Sequence, residues 1–175
     1  MIVSICGLAY SQGQIKITRI YDEITLDGNI DEAVWETINP LPFIQHKPVY
    51  GAKPTEHTEV RLAYDDNYLY IAGSLFDTQK VSSTSLERDG GNASSEWFGV
   101  GIDVYNDKQN ANAFFTTTSG LRWDAAILDG QGGIDINTNW NSYWDVKTQI
   151  TEEGWFAEFR IPLSSLRFQN INGET

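Results

Sequence analysis

The segment from His57 to Phe76 limits the fold more than any other. Thr58, Val60, Leu62 and Tyr64 alternate with Glu59, Arg61 and Ala63. After Asp65-Asp66-Asn67 the alternation resumes, with Leu69, Ile71, Gly73 and Leu75 on one face. A period of two places successive side chains on opposite faces of a strand, and a short polar turn joins two such strands as an antiparallel hairpin. Similar signals recur along the chain: Gln14–Ile20, Ile24–Gly28, Glu96–Tyr105, Ala111–Thr118, Leu121–Leu128, Trp144–Thr151 and Trp155–Pro162. Many short strands at close spacing specify a sandwich or barrel. The expected fold is therefore all-β, an antiparallel, jelly-roll-like β-sandwich of about nine strands. One short helix is expected near residues 31–37, capped by Asn29 or Asp31, with Ile30, Val34 and Trp35 on its apolar side. Gln79–Ser95 and Asp129–Asn139 are polar and Gly-rich and read as loops.

The 175 residues suit one domain with a substantial core. No apolar run approaches the ~20 residues of a membrane-spanning helix. The formal net charge of -12 repels phosphate backbones and makes nucleic acid an unsuitable partner. Residues 1–13 run from apolar through small to polar around Cys6, with Ala9-Tyr10-Ser11 shaped like a cleavage site. They read as a signal-peptide remnant, with an ordinary first strand as the alternative. Residues 14–169 then form the folded domain, and 170–175 lead toward a further region. Export follows, to the periplasm, outer membrane, cell surface or medium.

Catalytic motifs are sparse. His46 and His57 have no partners at metal-ligand spacing. Glu96, Asp103 and Asp124 are the carboxylates to consider for glycoside hydrolysis, which requires two at a fixed separation. The aromatic content is more informative, with six tryptophans. An indole stacks on the apolar C–H face of a sugar while neighbouring polar groups bond the hydroxyls; the alternative is that tryptophans fill the core. Trp97 stands out because it shares a strand face with Gly99, Gly101 and Asp103, and glycine inside a strand marks close approach of a ligand or another backbone. Trp123 lies between Arg122 and Asp124. Trp140 and Trp144 lie in Asn139-Trp-Asn-Ser-Tyr-Trp-Asp145.

Four phrases are similar to the family 9 carbohydrate-binding modules and their wider superfamily: Ile24-Thr-Leu-Asp-Gly-Asn-Ile-Asp-Glu-Ala-Val-Trp35, Pro54–Ile71, Glu96–Asp103 and Gly154-Trp-Phe-Ala-Glu-Phe-Arg-Ile-Pro162. Together they span roughly residues 15 to 168. Arg88-Asp89, Asn139–Trp144 and Ser165–Phe168 resemble a subset that stands at the front of larger exported proteins. The resemblance implies a non-catalytic module that binds carbohydrate, often with structural calcium. It serves a downstream domain, a hydrolase or a β-barrel-like envelope region. The superfamily also includes haem binders, so the fold leaves the ligand open. The family's sugar clamp does not carry over: its first tryptophan falls near Ala93, its glutamate near Gly99, and its second tryptophan beyond Thr175. The expected sugar site is Trp97 with Trp140 or Trp144 and Trp123, with Arg88, Asp89, Asp103, Arg122 and Asp124 bonding hydroxyls. Candidate calcium oxygens are Asp103, Asp107 and Asp65–Asn67, with solvated turns as the alternative. A structural or docking domain without a sugar ligand is the alternative function, with Trp140 and Trp144 buried against a partner.

Overall fold

The computed structural model describes residues 2–3, 17–45, 49–77, 96–130 and 133–166. Among the described residues, ten strands form two five-stranded sheets. One sheet runs β1 (Ile2–Val3), β5 (Trp97–Ile102), β6 (Asn110–Thr117), β7 (Trp123–Gly130), β8 (Gly133–Asn137). The other runs β2 (Thr18–Arg19), β3 (Thr58–Tyr64), β4 (Tyr68–Phe76), β10 (Gly154–Pro162), β9 (Asp145–Ile150). All pairings are antiparallel except β1 with β5 and β2 with β3. The result is the expected all-β sandwich.

The inward faces meet in one core. Phe98, Val100 and Phe114 of the first sheet pack against Val60, Ile71, Leu75, Trp155, Phe159 and Ile161 of the second. Phe98 lies edge-on to both Trp155 and Phe159. Gly73 of β4 makes room for it: a Cβ there would stand 2.3 Å from Cε1 of the Phe98 ring. Gly73→Ala is therefore expected to overpack the core and cost about 1–3 kcal/mol, read as a lower denaturant midpoint at unchanged m-value.

The second sheet is covered on its outer side as well. Ile20, Ile24, Trp35 and Ile38 pack onto Ala63, Tyr70 and Ala72, which project outward from β3 and β4. This strap includes α1 (Ala33–Glu36), shorter than the expected 31–37. Its N-cap is Glu32, which makes no side-chain cap bond, rather than Asn29 or Asp31. A second short helix, α2 (Leu163–Leu166), follows β10 and buries Leu166.

Two expectations are corrected. Ile24–Gly28 is not a strand; it makes a turn at Gly28, whose φ of 93° suits glycine. Part of Asp129–Asn139, read as loop, is β8, paired with β7 from Ala126↔Asn137 to Gly130↔Gly133.

Candidate functional site

Strand register decides which of the sequence candidates meet. On β5, Phe98 and Val100 point into the core, so Trp97, Gly99 and Gly101 face outward. Gly99 pairs with Phe115 of β6, and Phe115 pairs with Trp123 of β7. Phe115 and Trp123 meet edge to face with ring centroids 5.5 Å apart. The outer face of the first sheet thus carries Trp97, Phe115 and Trp123 together, each only half-buried.

The glycines beside Trp97 behave differently from each other. A Cβ on Gly99 would stand 2.4 Å from the Phe115 ring, so that ring fills the space over Gly99. At Gly101 a Cβ would meet nothing within 4 Å, and the residue is exposed. The platform is therefore floored by an aromatic ring and opens at Gly101. Nothing singled out Phe115 in the sequence; only the β6 register brings it between the two tryptophans.

Trp144 and Asp124 lie elsewhere. Trp144 is 1% exposed and sits in the core, stacked on Phe159 at 5.5 Å and 10° and edge-on to Phe114. Asp124, 2% exposed, accepts the Trp144 Nε1–H at 3.2 Å and the Ser142 N–H at 2.8 Å. As sugar contacts both are corrected: burial removes the indole from solvent, and the carboxylate closes the 140–144 loop. Trp140 is half-buried, edge-on to Phe114 at 5.9 Å. Arg122 donates to the Trp144 carbonyl at 2.9 Å and pairs with Asp145, which also pairs with Arg160. The polar residues around Trp140 and Trp144 thus bond to their own chain. Arg88 and Asp89 lie outside the described residues.

The turn carboxylates are similarly engaged. Asp103 accepts backbone N–H groups of Tyr105, Asp107 and Lys108. Asp107 accepts those of Gln109 and Asn110, and Asp65 those of Asn67 and Tyr68 plus the Tyr70 hydroxyl. Among the described residues no three acidic, His or Cys side chains gather as a metal would require. These turns fit backbone capping and do not fit a calcium cage. The glycosidase carboxylates are also dispersed. Glu96 and Asp103 flank opposite ends of β5, about 23 Å apart at ~3.3 Å per residue. Hydrolysis needs a separation of about 5–9.5 Å.

The first and last family phrases meet on the other sheet. Glu158 of β10 is 1% exposed beneath the strap. Its Oε2 accepts the N–H of Gly28 at 2.9 Å and of Asp27 at 3.2 Å. Glu32 Oε1 accepts the Thr25 N–H at 2.9 Å. Glu158 Oε1, Glu32 Oε2 and Trp35 Nε1 are buried without partners. Burial, with the nearby Glu32 charge, pushes the Glu158 carboxyl up to about 7. These residues bind the strap to the sandwich, which gives the two phrases a structural role.

The family model for carbohydrate family 9 binding domain-like proteins matches residues 26–174. No curated protein matches the chain in sequence. A carbohydrate binding module family 9 from Caldicellulosiruptor kristjanssonii, solved in complex with glucose, superposes with a TM-score of 0.54 at 20% identity. The match covers 84% of this chain and 70% of that one. A structure of such a module from the same organism with cellotriose gives 0.48 at 19% identity, covering 85% and 68%. The first superposition shows a shared fold, and the family model spans most of the chain: it belongs to the carbohydrate family 9 binding domain-like family.

Proposed function

We propose that the domain binds carbohydrate without catalysing its cleavage, on the outer face of β5, β6 and β7. The observation that carries this reading is the grouping of Trp97, Phe115 and Trp123 on one partly exposed face, beside the open backbone at Gly101. Rings held by a sheet offer flat apolar area at little entropic cost, which suits the C–H face of a pyranose. Membership of the family supports the ligand class, and the module that shares this fold was solved with glucose. The domain would act as the targeting part of a larger exported protein, holding a polysaccharide near a downstream domain.

Titration with cellotriose by calorimetry tests the reading. Trp97→Ala and Trp123→Ala should each weaken binding at least tenfold, about 1.4 kcal/mol or more. Both side chains are partly exposed, so the melting temperature should change little. Unchanged affinity in both variants would move the site elsewhere.

A second reading is a docking domain without a sugar ligand. Trp144 is buried within the domain itself, so it does not supply the expected apolar contact. Instead one face of the β7–β8 hairpin exposes Ile134 and Ile136, at 66% and 50%. An apolar group of this kind marks an interaction surface. Absence of binding to every glycan on an array would favour this reading.

A further inference from the structure

A second concave surface lies on the opposite side of the sandwich. Residues Glu59, Ser74 and Phe156 stand side by side across β3, β4 and β10, pointing outward from the second sheet. Beside them α1 and the Asn29–Asp31 turn rise as one wall, and Phe76 and Phe156 form the other. The cleft between has a volume of about 360 Å³. That is the small end of the roughly 300–1,000 Å³ range of ligand sites, with space for about one sugar ring.

The lining is organised. Phe76 meets Phe156 edge to face at 5.9 Å, and His57 stacks on Phe76 at 5.2 Å. Glu59 is held by Arg61 at 2.7 Å and by His57 at 3.0 Å, and Arg61 also donates to the Ile38 carbonyl. These ties fix a carboxylate and a guanidinium beside the aromatic wall. Ser74 is 5% exposed and borders the cleft. The Trp35 ring also borders it, and its buried N–H has no partner. A buried polar group without a partner costs free energy unless something supplies one.

From this we propose that the cleft is a second carbohydrate subsite, separate from the Trp97 platform, which takes one pyranose unit that bears no acidic group. The ring would lie along Phe156 and Phe76, with its hydroxyls reaching Ser74, Glu59 and Arg61. Asp31, Glu36, Glu59 and Glu153 outweigh Arg61 in the lining, so a uronate or phosphate would be repelled. Two subsites on opposite faces would let one domain bridge two polysaccharide chains.

Amide chemical shifts followed during titration with glucose, and separately with glucuronate, decide the matter. Glucose should shift amides of Glu59, Ser74 and Phe156, and should still do so in the Trp97→Ala/Trp123→Ala double variant. Ser74→Ala removes a single hydroxyl at the cleft and keeps the β4 backbone pairing, so the fold should be unaffected. It should weaken binding at this cleft at least fivefold, as should Glu59→Gln. Glucuronate should bind at least tenfold more weakly than glucose. Shifts confined to β5–β7 would overturn the second subsite while leaving the first intact. Equal binding of glucuronate, or no effect of either variant, would also overturn it.

Discussion

Trp144→Ala should remove about 3–5 kcal/mol of stability, the cost of deleting a large buried aromatic side chain. Few single changes in this domain should cost more. The indole stands between the two sheets, stacked on Phe159 of β10 and edge-on to Phe114 of β6. Its removal leaves a cavity where those sheets meet. It also takes one hydrogen bond from Asp124, a carboxylate that is 2% exposed. Against a typical total stability of about 5–15 kcal/mol, the variant should melt far below the wild type. Trp144→Phe tests the partition: it keeps most of the packing but loses the Nε1–H bond, and should retain over half of the lost stability. Equal loss in both variants would show that the hydrogen bond, and not the ring, holds the sheets together.

Stability should fall as pH rises toward and through neutrality. The responsible group is Glu158, whose carboxyl is pushed by burial and by Glu32 from 4.5 up to about 7 in the folded chain. Between those values the folded state holds a proton that the unfolded state has released. Raising pH across that window therefore favours unfolding, because the unfolded chain binds fewer protons there. The contribution is fully present below about 4.5 and is lost once pH exceeds about 7. Each tenfold change in proton affinity is worth about 1.4 kcal/mol, so the whole effect is on the order of 3 kcal/mol. Glu158→Gln keeps an acceptor for the Asp27 and Gly28 amides and carries no charge. Denaturation from pH 4 to pH 9 should show a smaller pH-dependent loss in that variant than in the wild type. An unaltered profile would place the titrating group elsewhere.

These two residues also show what the sequence could and could not disclose. The β3–β4 hairpin was legible to within a residue, because His57–Tyr64 and Tyr68–Phe76 alternate cleanly and a polar turn joins them. β10 was equally clear. β8 was not, because Gly, Asp and Asn signal loops, and all five of its residues are exposed, so burial leaves no pattern. Trp144 misled for a related reason: its neighbours in the chain are polar, and the partners that hold its ring inside, Asp124, Phe114 and Phe159, are all distant in sequence. Trp97 and Trp123 could be singled out from local pattern, but their sharing a sheet face with Phe115 depends on which residues of β6 oppose β5 and β7. A one-residue slip in that register would send the aromatic group into the core. The family phrases located Glu158 and Gly28 without showing that one bonds the other across 130 positions.

The exposure of β8 has a consequence for how the molecule behaves in a crowded solution. Among the described residues this strand pairs only with β7, so one margin of the first sheet ends in backbone donors and acceptors that face water. Such a margin can accept a strand from a neighbouring molecule, and Ile134 and Ile136 add apolar area to that contact. Asp135 lies between them, and its charge would oppose the same residue of a second copy brought alongside. Asp135 thus opposes edge-to-edge pairing of two copies, and Asp135→Ala should raise self-association at high protein concentration, read by light scattering.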